Sequence, residues 1–221
     1  MRLFLTSSNL GKFPETLIEM VGDNKKALLI TNARDHRSEE DRKTVVEHDA
    51  QRLIDCGFDV TELDLRKYRN NPAALKEYIK EFNPGLIFAI GGNVYSLATT
   101  LHFSGMDEIL REDLSEDKYV YGGYSAGAMV ASHDLLNYQD SFGRRIDDRL
   151  DQTERLYGEI FTDGLGLIEE YVIPHADEEE FKAICKKAET AVLNRGLTPV
   201  VLNDADVMVF DNGKTEVKRY E

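Results

Sequence analysis

A serine stands between two glycines at residues 123–127, which read Gly-Tyr-Ser-Ala-Gly. This pattern is typical of a nucleophile elbow, a tight strand-to-helix turn that exposes a serine hydroxyl for attack on an acyl carbon. The context supports it, because residues 118–121 (KYVY) predict a buried strand and residues 128–136 (AMVASHDLL) predict a helix. The free N–H of Ala126 would then point toward a developing oxyanion. We predict Ser125 as a nucleophile, the alternative being a simple tight turn.

A second glycine corner, Gly-Gly-Asn, lies at residues 91–93, between an apolar stretch and a stretch that predicts a helix. Glycines at such a turn let the backbone approach a bound ligand closely. A phosphate-binding loop is not indicated, because no Gly-Lys-Ser/Thr follows. The corner therefore supports a ligand site, the alternative again being a simple turn.

A serine hydroxyl needs a base, and histidine most often removes its proton. His175 follows an apolar stretch at residues 171–174, so it lies at the carboxyl end of a predicted strand, where sheets of this class bind ligands. The other histidines lie in charged segments, at a helix end or too far along a helix from the serine: His36, His48, His102 and His133. His133 is eight residues beyond Ser125, which is about 12 Å along a helix. We therefore predict His175 as the general base.

An imidazole base is oriented by an acidic partner. The chain has 41 Asp and Glu residues, so composition does not select one. Three aspartates lie near elements that could approach His175: Asp140, Asp204 and Asp206. Reasoning from the residues leaves the choice among them open.

Alternating strands and helices must position these side chains. Apolar runs predict strands at residues 2–6, 26–31, 58–65, 85–90, 119–123, 171–174, 198–202 and 206–210, with a hairpin turn leading to residues 215–220. Amphipathic stretches predict helices at residues 38–57, 71–82, 94–103 and 177–196. Residues 134–163 are polar and poorly periodic and predict a long loop. The pattern favours one α/β domain over residues 1–221, with a parallel sheet covered on both faces.

The composition excludes several classes of protein. The chain has 27 basic and 41 acidic side chains, and a net charge of −14 repels the phosphates of nucleic acid. Cys56 and Cys185 make neither a disulfide framework nor a metal cluster, and we expect both to be small buried hydrophobic residues. No apolar run approaches the ~18 residues of a membrane span, and no signal peptide is indicated, so we expect a cytoplasmic protein.

Three motifs together resemble the dipeptidase E family of serine peptidases, whose relatives include cyanophycinase. Residues 91–93 match the family's glycine-glycine-asparagine corner. Residues 125–128 match its Ser-Ala-Gly-Ala nucleophile motif, and residues 174–175 match its proline-histidine pair. The order and spacing agree over roughly residues 25–210.

The resemblance implies a fold like the class I glutamine amidotransferase domain, a three-layer α/β/α sandwich with a mostly parallel sheet. It implies a serine-type peptidase that hydrolyses short peptides through an acyl-enzyme, without metal or cofactor. The expected partner is a short peptide substrate, and a homodimer stays an open alternative. Ser125 would be the nucleophile and His175 the general base. The N–H groups of Gly92 and Ala126 would form the oxyanion hole, and Asn93 would bind substrate.

For the triad acid, the resemblance favours Asp140, about fifteen residues beyond the serine, with Asp204 as the alternate. The family's arginine-bearing stretch after the histidine is not matched, since residues 176–187 read ADEEEFKAICKK. An acidic segment repels an aspartyl side chain, so this segment does not predict specificity for Asp-X peptides. Arg144 and Arg145 are candidates to replace the missing arginine, the alternative being two solvated charges.

Two other functions stay open. The same residues would serve an esterase or amidase acting on a different acyl substrate. A glutamine-amidotransferase-like domain that binds a small ligand without catalysis is the third hypothesis, although such a domain needs no serine, histidine and glycine corners together.

Overall fold

The computed structural model describes residues 1–135 and 144–220, with side chains throughout except at residues 144–147. The strands are β1 (Arg2–Thr6), β2 (Lys26–Ile30), β3 (Asp59–Leu63), β4 (Leu86–Ala89), β5 (Val120–Tyr124), β6 (Tyr171–Ile173), β7 (Pro199–Val201), β8 (Val207–Asp211) and β9 (Lys214–Lys218). The helices are α1 (Pro14–Val21), α2 (Glu39–Asp55), α3 (Pro72–Phe82), α4 (Val94–Ser104), α5 (Met106–Ser115), α6 (Ala126–Met129), α7 (Arg144–Tyr157) and α8 (Lys182–Asn194). No helix in these ranges has the length and apolar character needed to cross a membrane.

Seven strands form one sheet in the order β3-β2-β4-β5-β1-β8-β9. The first five strands in that order are parallel to their neighbours, and β8 and β9 extend the sheet in the antiparallel sense. Strand β4 is buried at every residue, as a strand in a sheet covered on both faces must be. The predicted mostly parallel sheet is therefore confirmed.

Helices cover both faces of the main sheet, because successive residues of a strand point to opposite sides. In β2, Leu28 belongs to a core shared with α3, α4 and α5, whereas Leu29 belongs to a second core shared with α1 and α2. Buried leucines from the helices, such as Leu97 of α4 and Leu53 of α2, complete the two cores. Burial of each such side chain contributes roughly 1.5–3 kcal/mol.

Strands β6 and β7 form a separate, two-stranded parallel sheet, here called the small sheet. Helix α8 packs on it and buries Cys185, Ala188 and Val192. The segments that follow the two strands are joined by hydrogen bonds, in which the N–H of Leu202 donates to Ile173 O at 2.9 Å and the N–H of Ala176 donates to Leu202 O at 3.1 Å. The sequence predicts both strands but does not indicate that they leave the main sheet.

The helix after the glycine-flanked serine is shorter than predicted. Helix α6 ends at Met129, although the apolar pattern predicts a helix through residue 136. The carbonyl of Val130 accepts a hydrogen bond from the N–H of Leu165 at 2.6 Å, and the next three carbonyls accept from the same neighbouring segment. Pairing with that segment therefore overrides the local helix propensity.

The prediction of a long loop at residues 134–163 is wrong for residues 144–157, which form α7. The buried side of α7 includes Thr153 and Tyr157, with Leu150 partly buried. Residues 144–157 are rich in charged side chains, so the segment is polar on average and predicts a loop, although its few apolar residues recur with a helical period. Helices α1 and α5 are also absent from the prediction, since short stretches carry few periods of a helical pattern.

Helix α6 packs so closely on β4 that Gly127 cannot carry a side chain. A Cβ at Gly127 would lie 2.1 Å from the carbonyl oxygen of Ala89. We expect Gly127→Ala to lower the free energy of unfolding by about 3 kcal/mol, the upper end for overpacking. Gly158→Ala is the comparison, because nothing lies within 4 Å of a Cβ there and only its φ of +73° opposes the change, at about 1 kcal/mol. Chemical denaturation measures both, and equal costs would contradict the prediction.

Candidate active site

Ser125 lies at the corner between β5 and α6. Its backbone φ of +50° and ψ of −113° are rare for a residue other than glycine, as a nucleophile elbow requires. Its N–H donates to Thr6 O on β1 at 3.1 Å, and its carbonyl accepts from the N–H of Met129 at 2.9 Å. These bonds hold the strained residue while its side chain stays partly exposed.

The two glycines of the motif are required by close packing. A Cβ at Gly123 would lie 2.6 Å from the carbonyl carbon of Gly127, and a Cβ at Gly127 would collide with β4. The backbone at Gly123 therefore packs directly against that of Gly127, and the backbone of Gly127 packs directly against β4. This packing explains why glycines flank the serine at these positions.

The imidazole of His175 reaches the serine from the small sheet. His175 lies two residues after β6, and its Nε2 is 3.0 Å from Ser125 Oγ. Its Nδ1 is 2.8 Å from Oδ1 of Asp204, three residues after β7. An ionised carboxylate cannot donate, so Nδ1 carries the proton and Nε2 accepts the serine hydroxyl.

Among the described residues, Asp204 is the candidate acid that contacts His175. Asp206 is buried and pairs with Arg219 at 2.6 Å instead. Asp140, which the resemblance favours, lies outside the described residues. Nδ1 of His175 carries a single hydrogen, and the bond to Asp204 uses it. This nitrogen therefore has no second hydrogen to donate to another acid.

The backbone N–H groups of Gly92 and Ala126 have no acceptor in the part of the chain that the structure describes. The glycine corner packs against the serine, since a Cβ at Gly91 would lie 2.9 Å from Ser125 Cβ. Gly92 has a φ of +153°, and a Cβ there would lie 2.3 Å from Ala33 O. Two unused donors beside a serine can bind a developing negative charge.

Asn93 does not have a free side chain for substrate. It is 1% exposed, and its Oδ1 accepts from the N–H groups of Tyr95 and Ser96 at 3.0 and 3.3 Å. Its Nδ2 donates to Arg149 O at 2.9 Å and to Thr153 Oγ1 at 3.3 Å. The predicted substrate-binding role is therefore replaced by a structural one, in which Asn93 caps α4 and ties it to α7.

Three of the other histidines are exposed: His48, His102 and His133. His36 is partly buried, so its predicted position on the solvated surface is wrong. Burial lowers the pKa of His36, and the nearby charges of Arg37, Arg34 and Arg149 lower it further.

The side chains of Arg144 and Arg145, at the start of α7, lie outside the described part of the chain. Within the described ranges, no group of His, Cys, Asp and Glu side chains could hold a metal ion.

Sequence reasoning missed Ser7. Its hydroxyl donates to Asp204 Oδ1 at 2.7 Å and accepts from the backbone N–H of His175 at 2.6 Å. No motif marks this residue. Ser7 directly follows β1, however, and the rule that site residues gather at the carboxyl ends of strands could have identified it.

Comparison with known proteins identifies the family of this chain. The profile of peptidase family S51 matches residues 3–218. The chain belongs to peptidase family S51. Similar proteins include the uncharacterized peptidase Lmo0363 of Listeria monocytogenes, 26% identical over 218 residues, or 98% of this chain and 97% of that protein. The uncharacterized peptidase Lin0382 of Listeria innocua is 26% identical over 222 residues, with 97% and 99% coverage.

Two solved structures share the fold of this S51 chain. One is described as a "Putative Peptidase E Protein" from Listeria monocytogenes, with a TM-score of 0.77, 22% identity, and coverage of 100% of this chain and 98% of that one. The other is a peptidase from an acI-B1 Actinobacterium, with a TM-score of 0.67, 23% identity, and coverage of 98% and 86%.

These findings confirm the resemblance to the dipeptidase E family and the α/β fold of the class I glutamine amidotransferase type. Membership of S51 also supports the coarser functional prediction, a peptidase and hence a hydrolase.

Cys185 lies under the site, where its thiol donates to Pro174 O at 3.2 Å. Burial, with the nearby charge of Asp204, raises the pKa of this thiol to about 11. We expect iodoacetamide to leave Cys185 of the folded protein unmodified at pH 7, because the thiolate is the reactive form, and to react faster as the pH rises toward 11. Peptide mass spectrometry measures this, with the less buried Cys56 as the internal comparison. Burial raises the pKa of Cys56 as well, so unfolded protein is the second reference. Modification of Cys185 in the folded protein at pH 7 as fast as in the unfolded protein would contradict the assignment.

Proposed function

We propose that this S51 protein is a serine-type peptidase that hydrolyses short peptides through an acyl-enzyme on Ser125. The observation that carries the proposal is the chain of hydrogen bonds from Ser125 through His175 to Asp204, at 3.0 and 2.8 Å. A neutral imidazole held with Nε2 toward a hydroxyl is the arrangement that activates a serine.

In the first half of the reaction, Nε2 of His175 takes the hydroxyl proton as Ser125 Oγ attacks the scissile carbonyl carbon. The carbonyl oxygen becomes an oxyanion, which the free N–H groups of Gly92 and Ala126 would stabilise. Each such donor is worth about 10²–10³ in turnover. The C–N bond then breaks, and the imidazolium returns its proton to the leaving amine.

In the second half, a water molecule gives a proton to His175 and attacks the acyl carbon. The ester bond to Ser125 breaks, Oγ regains its proton from the imidazolium, and the acid product leaves. Asp204 holds the imidazole in the productive tautomer and stabilises its charged form throughout. In each step, the groups named above account for every proton transferred and every bond formed or broken.

The proposed substrate is a short peptide. The net charge of −14 disfavours nucleic acid as a partner. Specificity for Asp-X dipeptides is not part of the proposal, because the acidic segment after His175 includes Asp177, whose Oδ1 accepts from the N–H of Asp204 at 2.9 Å. An aspartyl side chain near that carboxylate would be repelled.

Ser125→Ala tests the nucleophile. We expect a fluorophosphonate to label Ser125 in the wild type and not in the variant, and peptide hydrolysis to fall by about 10⁶-fold. The assay follows products from a dipeptide library and a panel of small esters by mass spectrometry. Ser132→Ala is the matched control, because its buried hydroxyl donates to the carbonyl of Glu170 at 3.0 Å and has no other hydrogen-bond partner among the described residues.

The outcomes separate the three hypotheses. Cleavage of dipeptides supports the peptidase, and cleavage of esters alone supports an esterase. If folded wild-type protein leaves Ser125 unlabelled and every substrate intact, the domain is a non-catalytic binder and the proposal is wrong.

Asp204→Asn tests the acid. The side-chain NH₂ of an asparagine can donate to Nδ1 of His175, which favours the tautomer with the proton on Nε2. That tautomer cannot accept the serine proton, so we expect kcat to fall by about 10⁴-fold with little change in folding. Asp140→Asn is the matched comparison and is expected to cost far less. Steady-state kinetics of both variants decide, and a large loss confined to Asp140→Asn would reverse the assignment.

A further inference from the structure

Ser7 is fully buried one residue beyond β1, and its hydroxyl is used both as donor and as acceptor. It donates to Asp204 Oδ1 at 2.7 Å and accepts from the N–H of His175 at 2.6 Å. One hydroxyl therefore touches both members of the pair that the proposed mechanism uses. Within the described structure, it makes no hydrogen bond with the hydroxyl of Ser125.

We propose that Ser7 is a positioning residue that fixes the His175–Asp204 pair relative to the nucleophile. The proposal rests on the proposed function, because it assigns Ser7 a role in that same site. Ser7 acts through its two partners and does not itself touch the reacting atoms.

Ser7 belongs to the same sheet as the nucleophile. Thr6 on β1 pairs with Tyr124 on β5 in a parallel register, so Ser7 and Ser125 are the next residues of two adjacent strands. Adjacent strands lie about 4.8 Å apart. The N–H of Ser125 also donates to Thr6 O at 3.1 Å, which locks the two strand ends together.

The base and the acid come from the small sheet, which shares no strand ladder with the main sheet. Ser7 is a main-sheet side chain that bonds the backbone of His175 and the carboxylate of Asp204. His175 has a φ of +64°, and its N–H points to Ser7 instead of continuing the ladder of β6. Ser7 therefore connects the two sheets at the residues where their alignment matters.

The carboxylate of Asp204 is oriented by two donors on one oxygen. Oδ1 accepts from Ser7 Oγ at 2.7 Å and from Nδ1 of His175 at 2.8 Å. Two further contacts hold this pair from the small-sheet side: Asp177 accepts from the N–H of Asp204, and the ring of Phe181 lies 5.1 Å from the imidazole between centroids. Neither of these residues belongs to the main sheet, so they cannot replace Ser7 in setting the distance to Ser125.

A serine that only filled space at this position would behave differently when changed. Its loss would lower the melting temperature and leave the kcat of the folded protein unaltered. Loss of a positioning residue lowers kcat in folded protein and leaves KM nearly unchanged, because substrate still binds but the base is misplaced.

Ser7→Ala and Ser7→Cys test the proposal. We expect kcat on the best wild-type substrate, and the rate of fluorophosphonate labelling, to fall by about ten- to a hundredfold in Ser7→Ala. Ser7→Cys keeps a donor, although a weak one on a somewhat larger side chain, so it gives a second variant that leaves no cavity and is expected to be slowed as well. In proton NMR spectra, the low-field Nδ1–H signal of His175, assigned by its loss in His175→Gln, is expected to shift or broaden in both variants.

Ser104→Ala is the matched control, because Ser104 is equally buried and its hydroxyl also both donates and accepts: it donates to two carbonyls of α4 and accepts from the N–H of Met106 at 3.4 Å, away from His175 and Asp204. It is expected to leave kcat and the NMR signal unchanged. If wild-type Ser125 is labelled but folded Ser7 variants react at the wild-type rate with an unchanged signal, the positioning role is wrong and the proposed function stands. If the wild type is not labelled, the proposed function fails, and an unaltered NMR signal in Ser7→Ala would reject the positioning role as well.

Discussion

The hydrogen bond between the imidazole of His175 and the hydroxyl of Ser125 joins two sheets that share no backbone ladder. The two sheets can move little relative to each other without breaking this 3.0 Å hydrogen bond, and groups that act together in catalysis must be held within about 0.5 Å of their productive geometry. The main sheet supplies a serine on a turn too tight to move, and the small sheet supplies the imidazole. The packing around both, including the buried residues of α8 and the hydroxyl of Ser7, holds the two sheets at the separation that this hydrogen bond needs.

Both partners in that hydrogen bond have a strained backbone. Ser125 and His175 have φ values of +50° and +64°, where residues other than glycine cost about 1–3 kcal/mol each. Each strained residue is held by a bond from its N–H, to Thr6 O for the serine and to Ser7 Oγ for the histidine. Thr6, the last residue of β1, and Ser7, which follows it, thus offset strain at both ends of the interaction, so the end of this strand supports both the serine and the histidine.

The motifs could be predicted because each is local. The glycine-flanked serine, the glycine corner and the proline-histidine pair all lie at strand ends, and apolar strands are evident from hydropathy alone. The acid could not be chosen, because Asp204 and Asp206 lie two residues apart and only the fold shows that one meets His175 and the other meets Arg219. Asn93 was misassigned since a cap and a ligand-binding amide look alike in sequence. Ser7 was missed because its contacts join residues more than 160 positions away.

The order of these parts along the chain also separates them in time during translation. Strands β1, β2, β4 and β5 have all been made by residue 124, so the serine can reach its place in the sheet early. The histidine and aspartate emerge only with residues 175 and 204. Under the proposed function, a ribosome-bound chain that ends between these points has the serine hydroxyl but neither its base nor its acid, so the nucleophile is not activated until the last third of the chain has been made.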